Sequence, residues 1–273
     1  MRGSPYTDLD RPPLREAALR AALLVPGGLW TDLRVVPETG STNADVAAAA
    51  QAGTPEGLVI VAERQSAGRG RLGRRWESPP RAGLAFSVLL RPAEHGVPAA
   101  RLGWLPLLTG VALATAVSHV AGVDATVKWP NDLLVDDRKC GGILAEAAGR
   151  AVVVGTGLNV TLRRHELPRP DATSLALAGA SGTDRDPLLR ALLRTLESAY
   201  LDWCDAAGDA EACGLLAVYR MLCATLGRTV RVHLPGGDEL VGEAVDIDAD
   251  GHLVVATADG PRPVAAGDVV HVR

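Results

Sequence analysis

The sequence predicts an α+β protein in which a large mixed domain is followed by a small all-β domain. The chain has 273 residues, more than one compact core usually needs. Strand-like and helix-like apolar patterns mix as far as about residue 226, whereas residues 229–273 carry only short β runs between turn residues. We therefore expect one domain at 1–226 and a second at 227–273. The second is expected to be a small barrel of four or five strands.

The larger domain alternates short apolar runs with longer helical patterns. Strands are predicted at 33–36, 58–62, 84–90, 126–129, 132–135, 142–146 and 151–154. Helices are predicted at 14–25, from Ser41 to Gly53, at 102–123, at 187–205 and at 210–226. The third of these contains Pro106, where a break is expected.

The smaller domain is predicted from its β runs and its turn residues. Strands are expected at 230–234, 240–247, 253–257 and 269–272. Turns are expected at 235–237, 250–251 and 259–260, each of which contains glycine.

Composition and charge disfavour several classes of protein. A formal net charge of −4 gives no indication of a nucleic-acid or anionic-membrane partner. The apolar stretch 102–123 could cross a membrane by composition, but it contains a proline, lacks flanking aromatic residues and stands alone, so a buried helix is expected. The four cysteines form no C-x-x-C pair and the histidines are scattered, which predicts free thiols in a reducing cytoplasm and no structural zinc.

Lysine is rare in this chain. Of 28 basic side chains only Lys128 and Lys139 are lysines, and the three asparagines are Asn43, Asn131 and Asn159. A lysine that persists in an arginine-rich chain suggests a need for a compact ammonium, which a planar guanidinium cannot replace. Chance is the alternative, but all five rare residues fall within the motifs described below.

The first strong motif is a loop rich in glycine and arginine, which we call the arginine loop (residues 64–75). It lies in Glu63-Arg-Gln-Ser-Ala-Gly-Arg-Gly-Arg-Leu-Gly-Arg-Arg-Trp76. Glycines allow a backbone to fold closely around an anion, and arginines add charge-assisted hydrogen bonds to phosphate. The pattern is neither a Walker A sequence nor a dinucleotide fingerprint. A solvated basic loop or an RNA-binding loop fits the local pattern equally well.

A second motif contains both lysines. Lys128-Trp-Pro-Asn-Asp132 predicts a strand that ends in a proline turn, and 138–144 returns after a tight connection, so that Asp132 and Lys139 can lie close across a hairpin. A lysine directed at a carboxylate and a phosphate, with an aspartate nearby, suits acyl adenylation followed by attack of an amine. A surface hairpin with an ion pair is the alternative.

Two weaker signals complete the set. Gly155-Thr-Gly157 ends an apolar strand and could let a ligand approach the backbone, although a β-bulge is the simpler interpretation. Ser41-Thr-Asn43 can cap a helix, and its hydroxyls and the helix amides could also bind a polar ligand. Cys140 is expected to be a small loop residue rather than a nucleophile.

Taken together and in this order, the four motifs resemble those of biotin protein ligases. The resemblance covers about residues 40–159, and the small β domain agrees with it. It implies a mixed sheet flanked by helices, similar to class II aminoacyl-tRNA synthetases, and an SH3-like C-terminal barrel. It also implies two steps: biotin and ATP with Mg²⁺ give biotinoyl-5′-AMP, and a lysine of a biotin carboxyl carrier protein domain then takes the biotinoyl group.

The resemblance assigns three sets of residues. The biotin set is Ser41, Thr42, Asn43, Gln65, Gly68, Arg69, Arg71, Lys139, Gly141, Gly142, Gly155 and Gly157. The ATP set is Arg71, Trp76, Lys128, Asn131 and Asn159, with Mg²⁺ expected mainly through the ATP phosphates and no prosthetic group. The catalytic set is Arg69, Arg71, Asp132 and Lys139.

Within these sets, specific roles follow from the resemblance. Ser41, Thr42 and Gln65 bind the ureido ring, while Arg69 and Arg71 hold the carboxylate and the α-phosphate as the loop closes. Trp76 packs on the adenylate. Lys139 contacts the carboxylate and α-phosphate oxygens, and Asp132 orients or deprotonates the incoming lysine.

The sequence departs from bifunctional members of that family. Roughly forty residues precede the first motif, which is short for a winged-helix DNA-binding domain, so a monofunctional enzyme without a DNA or membrane partner is expected. Leu72 stands where some members carry another arginine. A lipoate ligase is the nearest rival, but Ser41, Thr42 and Gln65 favour a ureido ring. A nucleic-acid-binding protein is a rival of another class, disfavoured by the net charge and the absence of interleaved aromatic residues.

Overall fold

A computed structural model describes residues 11–234 and 237–272. Residues 1–10 and Arg273, which belong to the two predicted domains, lie outside the described residues. So do Pro235 and Gly236 of the first predicted turn in the small domain.

A seven-stranded mixed sheet forms the centre of the larger part. Its order is β1-β2-β3-β7-β6-β5-β4, and only β1 and β2 run parallel. The strands are β1 (Asp32–Val36), β2 (Leu58–Ala62), β3 (Gly83–Leu90), β4 (Ala125–Lys128), β5 (Asp132–Val135), β6 (Arg138–Ala148) and β7 (Ala151–Asn159).

Helices cover both faces of this sheet. They are α1 (Glu16–Leu23), α2 (Thr42–Gln51), α3 (Trp104–Ala121), α4 (Arg185–Asp205) and α5 (Leu215–Leu222). On one face α2 packs against β2, β3, β6 and β7, and on the other α3 packs between the sheet and α4. Successive side chains of β2 point to opposite faces of the sheet. Ile60 packs in the small apolar cluster under α2, whereas Val59 and Val61 pack in the main core on the other face. The predicted mixed α+β fold is therefore confirmed.

Helix α3 is continuous, so the break predicted at Pro106 is wrong. Pro106 is the third residue of the helix, where its missing N–H has no intrahelical partner to lose. The helix is long and apolar enough to cross a membrane by length and composition, but 72% of it is buried inside the protein. The sheet on one side and α4 on the other account for its apolar surface.

Helix α5 is shorter than the predicted helix at 210–226. Gly214 has φ +77° and stands immediately before its first residue. This left-handed conformation cannot continue a right-handed helix, so residues 210–213 form turns instead.

The C-terminal strands form a five-stranded antiparallel sheet in the order β11-β10-β9-β8-β12. They are β8 (Thr229–His233), β9 (Glu239–Ile247), β10 (Leu253–Thr257), β11 (Gly260–Val264) and β12 (Asp268–His271). The sequence did not predict β11, because its Gly-Pro-Arg-Pro-Val sequence carries two prolines. The strand lies at the edge of the sheet, where prolines are tolerated.

This C-terminal sheet is joined to the larger part by buried tryptophans. Trp104 Nε1 donates to the carbonyl of Ala249 (2.8 Å), and Trp129 Nε1 donates to the carbonyl of Gly251 (3.0 Å). Both rings are almost fully buried, so the turn that connects β9 and β10 is held firmly against α3 and the end of β4. Two ion pairs cross the same boundary, Arg101–Asp250 (2.9 Å) and Arg220–Asp246 (2.7 Å).

Candidate active site

A cavity of about 440 Å³ lies on the α2 face of the large sheet, beneath the arginine loop and beside the C-terminal sheet. This volume is typical of a site for a small molecule. Fourteen of the residues assigned by the resemblance line it: Ser41, Thr42, Asn43, Gln65, Arg69, Arg71, Trp76, Asn131, Asp132, Lys139, Gly142, Gly155, Gly157 and Asn159. Gly68, Gly141 and Lys128 do not line it.

The start of α2 contributes a polar corner of the cavity. The backbone N–H of Thr42 and its hydroxyl both donate to Gln65 Oε1, at 2.9 and 3.1 Å. A backbone N–H can only donate, so the Gln65 atom that faces Thr42 is the amide oxygen. The NH₂ group of Gln65 is therefore at the other end of the amide and can donate elsewhere. Ser41 occupies the N-cap position but makes no capping hydrogen bond through its side chain, so the predicted capping bond is wrong. Its buried hydroxyl instead borders the cavity.

Asn43 is held by a network that the sequence did not reveal. Its Nδ2 donates to Glu146 Oε2 (2.6 Å) on β6, and its Oδ1 lies 2.6 Å from the hydroxyl of the fully buried Ser87 on β3. A Cβ at Gly155 would lie 1.9 Å from Asn43 Oδ1. Gly155 is therefore required by the neighbouring side chain, and the network fixes the first turn of α2 against the sheet.

Gly157 makes room for Trp76. A Cβ there would lie 2.3 Å from the Trp76 indole, and one at Gly142 would lie 3.5 Å from it. The indole thus lies directly on the backbone of β7. The β-bulge expected at 155–157 is wrong, because β7 pairs in unbroken register with both β3 and β6.

A bulge lies instead at the hairpin of β5 and β6. Leu133 pairs with Gly141 but Leu134 pairs with Lys139, so one residue of β6 is extra. Side chains alternate along a strand, and this extra residue lets Lys139 face the cavity together with Gly142. Lys139 Nζ lies 2.5 Å from Asp132 Oδ1, as the hairpin pattern predicted.

The arginines of the loop converge on protein acceptors around the cavity. Arg69 pairs with Glu146 (3.0 Å), and Arg71 donates to Asn131 Oδ1 (2.9 Å) and to the carbonyl of Gly267 (3.0 Å). At the tip of the loop Leu72 has φ +56° and is 71% exposed. Arg74 forms two hydrogen bonds to the carboxylate of Asp268.

The cavity is cationic although the chain is acidic overall. Six cationic side chains line it against three carboxylates: Arg69, Arg71, Arg74, Arg75, Lys139 and Arg169 against Glu77, Asp132 and Asp268. Burial lowers the pKa of Arg71 from its ordinary value, while the carboxylates of Asp268 and Asp132 act in the opposite direction. A half-buried cation of this kind favours an anionic ligand.

Two other residues of the lysine motif lie behind the cavity wall. Burial lowers the pKa of the Lys128 ammonium, against the charge of Asp132 and Asp268. Cys140 is buried in the core, and burial raises its pKa to about 12. It is therefore a protonated core thiol rather than a nucleophile, as expected, but it lies within strand β6, so the prediction of a loop residue is wrong.

No cluster of three metal-binding side chains lines the cavity within the described part of the chain. Among the described residues, the side chains that lie close enough together to hold a metal ion are those of Asp248, Asp250 and His252, in the turn between β9 and β10. Asn131 uses both ends of its amide within the protein, and Asn159 Nδ2 donates to the carbonyl of Thr173. This donor set fits a divalent cation that is held mostly by phosphate oxygens of a ligand.

Reasoning from the sequence missed Arg169 and Glu77, which line the cavity, as well as Ser87, Glu146 and Asp268. Ser87 could have been predicted because it is a polar residue in an otherwise apolar strand. Glu146 could also have been predicted, because it lies four residues after Gly142 on β6 and therefore on the same face of the sheet. Asp268 could not have been predicted in this way, because it reaches the cavity from the C-terminal sheet.

Comparison with known proteins agrees with this geometry. The model of the biotin/lipoate A/B protein ligase family matches residues 35–161, and the model of the biotin protein ligase C terminal domain matches residues 225–272. The first family is named for both biotin and lipoate ligases, and the second for biotin protein ligases.

Individual relatives support the same assignment. The chain is 44% identical to a biotin–[acetyl-CoA-carboxylase] ligase of Mycobacterium tuberculosis, over 98% of this chain and 100% of that protein. It is 34% identical to the bifunctional ligase/repressor BirA of Escherichia coli, over 78% of this chain and 66% of that protein. A solved biotin protein ligase from Aquifex aeolicus in complex with biotin and ATP is similar with a TM-score of 0.74 and 27% identity, over 89% of this chain and 100% of that one. The chain therefore belongs to the biotin protein ligase family.

Proposed function

We propose that this protein activates biotin with ATP and transfers it to a lysine of a biotin carboxyl carrier protein domain. In the first step the biotin carboxylate attacks the α-phosphorus of ATP, giving biotinoyl-5′-AMP and pyrophosphate. In the second step the lysine amine attacks the acyl carbon and AMP leaves. The product is an amide, so the enzyme is a ligase that forms a carbon–nitrogen bond.

The polar corner at the start of α2 binds the ureido ring of biotin. Ser41 and Thr42 contribute hydroxyls, and Gln65 contributes an amide whose donor end is set by its two hydrogen bonds from Thr42. A ring with one carbonyl and two N–H groups needs both donors and acceptors, which this corner supplies. Asn43 and the backbone at Gly142, Gly155 and Gly157 complete the pocket, while Gly68 and Gly141, which do not line it, allow the neighbouring backbone to pack closely.

The cationic end of the cavity binds the carboxylate and the phosphates. Arg69, Arg71 and Lys139 neutralise the charge that develops as the carboxylate attacks phosphorus. Their present partners, Glu146, Asn131 and Asp132, hold them at the cavity before the ligand arrives. Trp76 packs against the adenylate, and Asn131 and Asn159, which line the cavity, lie beside the nucleotide. Lys128 adds positive charge from behind the cavity wall. Bound Mg²⁺ neutralises phosphate charge when ATP is present.

Asp132 serves the second step. Its carboxylate lies 2.5 Å from Lys139 Nζ at the cavity wall. It orients the incoming ammonium of the carrier lysine and accepts its proton, because only the neutral amine attacks the acyl carbon. Lys139 stays beside the reacting carboxyl oxygen.

One observation carries this proposal: a single cavity of about 440 Å³ joins a hydroxyl-and-amide corner to a cluster of six cations. A ureido ring at one end and an acyl phosphate at the other match this arrangement. The test is pyrophosphate exchange with Mg²⁺ and either biotin or lipoate. We expect biotin-dependent exchange, and exchange with lipoate alone would favour the rival activity.

Finer features of the architecture are part of the same proposal. We infer that the larger sheet is similar to that of class II aminoacyl-tRNA synthetases and that the C-terminal sheet is an SH3-like barrel. The domain boundary lies at 226/227, just before β8. We also propose a cytoplasmic enzyme without a DNA-binding function, whose macromolecular partner is the carrier domain.

A further inference from the structure

The arginine loop is tied to the C-terminal sheet by two neighbouring residues. Arg74 binds the carboxylate of Asp268 with two of its nitrogens, and Arg71 donates to the carbonyl of Gly267 at 3.0 Å. Both acceptors lie at the beginning of β12. Partial burial by itself would raise the pKa of Asp268. The hydrogen bond and charge of Arg74, with the charges of Lys128 and Arg71, nevertheless hold this pKa below its ordinary value. The carboxylate is therefore charged when it binds the loop.

Few other contacts hold this part of the loop. In the described residues, the side-chain hydrogen bonds that leave positions 70–74 end on Asn131, Gly267 and Asp268. Three backbone hydrogen bonds close a narrow hairpin here, from Gly70 N–H to the carbonyl of Arg74, from Arg74 N–H to that of Arg71 and from Trp76 N–H to that of Gly68. Without the contacts to β12, the tip would be joined to the rest of the protein mainly through Asn131.

The acceptors themselves sit on a firmly held surface. The C-terminal sheet is fixed to the larger part by Trp104 and Trp129, whose rings are 0% and 2% exposed. Gly267 is packed so closely against β8 that a Cβ there would lie 2.5 Å from Val232 Cγ1. The start of β12 is therefore a rigid anchor, and a loop attached to it stays above the cavity.

We propose that Asp268 is a positioning residue that holds the arginine loop over the cavity and so keeps the acyl adenylate bound between the two steps. This inference rests on the proposed function for the identity of the intermediate, but not for the attachment of the loop. The C-terminal sheet thereby takes part in the reaction without supplying a catalytic residue, because it acts through Arg74 and Arg71.

The attachment is tested on the free protein by hydrogen–deuterium exchange, comparing the parent with Asp268→Asn. We expect the amides of Gly70 and Trp76 to exchange about two- to fivefold faster in the variant, the range for loss of a surface ion pair. Asp268→Glu should restore slow exchange, and so should the charge swap of Arg74→Asp with Asp268→Arg. Asp246→Asn is the matched control, since it removes the Arg220–Asp246 ion pair of the same sheet.

Retention of the intermediate is measured separately, by the release of preformed biotinoyl-5′-AMP into a chase of unlabelled biotin and by labelling of a bystander protein. We expect release to be about two- to fivefold faster in Asp268→Asn and unchanged in Asp246→Asn. Unchanged exchange at 68–76, or slower release of the adenylate, would overturn the proposal. If the parent makes no adenylate while exchange responds as expected, the anchor is supported and the proposed function fails instead.

Discussion

Lys139 is one of two lysines in a chain that otherwise uses arginine for positive charge. Its ammonium faces the cavity only because of the bulge in β6, and it lies against Asp132. We predict that Lys139→Arg lowers the rate of adenylate formation at least about tenfold, equivalent to about 1.4 kcal/mol of transition-state stabilisation. A planar guanidinium is larger and cannot occupy the place of a compact ammonium at the same distance from Asp132.

Single-turnover formation of labelled adenylate measures this effect, and a thermal melt checks folding. Lys128→Arg is the comparison at the other lysine. It should lose less activity, because Lys128 does not line the cavity. Near-normal activity of Lys139→Arg would show that the rarity of lysine has no functional basis.

Arg71 combines a hydrogen bond to Asn131 with one to the carbonyl of Gly267, so it helps to close the loop. We predict that Arg71→Gly releases the adenylate roughly ten- to a hundredfold faster, since a charge-assisted hydrogen bond contributes about 1.5–3 kcal/mol. The readout is biotin labelling of albumin present as a bystander with ATP and biotin.

The matched control for Arg71→Gly is Leu72→Gly. It adds a glycine to the same loop, relieves the positive φ of Leu72 and leaves every arginine in place. Equal bystander labelling by the parent and Arg71→Gly, with adenylate formation intact in both, would refute the role of the guanidinium. Equal labelling by the two glycine variants would point to backbone flexibility instead.

At the scale of the element, β7 is a central strand whose glycines form the floor of the cavity beneath neighbouring side chains. We predict that Gly157→Ala lowers the free energy of unfolding by about 1–3 kcal/mol, as overpacking does, because its Cβ would lie 2.3 Å from the Trp76 ring. Biotin affinity should fall as well, since the displaced indole alters the cavity. Urea unfolding and calorimetric titration with biotin measure the two effects.

Gly40→Ala provides the steric control, since a Cβ there meets nothing within 4 Å. Combining Gly157→Ala with Trp76→Ala should recover stability but not affinity for the ligand. A stable Gly157→Ala protein with normal affinity would mean that Trp76 moves away without consequence.

At the scale of the whole molecule, stability depends on pH through His271, a half-buried histidine of β12. Burial, with the charges of Lys128 and Arg228, lowers the pKa of His271 from 6.5 to about 4, and Asp137 opposes this. Between these two pH values the unfolded chain binds more protons than the folded chain. The contribution of His271 to stability is therefore present above pH 6.5 and is lost as the pH falls towards 4.

We predict that His271→Gln reduces the dependence of unfolding free energy on pH within that window, by at most about 1.4 kcal/mol per pH unit. Glutamine keeps a polar group near Thr225 Oγ1, which lies 3.2 Å from His271 Nε2. Urea unfolding of the parent and variant at several pH values measures the difference. Parallel curves for the two proteins would contradict the prediction.

The charge distribution of the whole molecule predicts the absence of specific DNA binding. The net charge is −4, and Arg69, Arg71 and Arg74 are paired with acceptors around the cavity rather than displayed on a basic face. Fluorescence anisotropy with operator-like DNA at physiological salt should detect only weak binding that disappears as salt is raised. Sub-micromolar, sequence-specific binding would overturn the monofunctional interpretation.

Local patterns in the sequence predicted most of the elements, because periodicity and turn residues act over a few positions. β2 and β5 begin and end where the apolar runs do, and the contact between Asp132 and Lys139 follows from one short hairpin. The exceptions also have local causes. Gly214 shortened α5, and the prolines of β11 concealed an edge strand.

The sequence by itself determined the mixed fold, the order of the motifs and the family to which the chain belongs. Only the tertiary structure decided which atoms fill the cavity. Asn43 occupies the space left at Gly155, Trp76 occupies the space left at Gly157, and Asp268 reaches the arginine loop from almost two hundred residues away. Such contacts depend on how separate strands and helices are arranged in space, and no local pattern of residues encodes a distance between them.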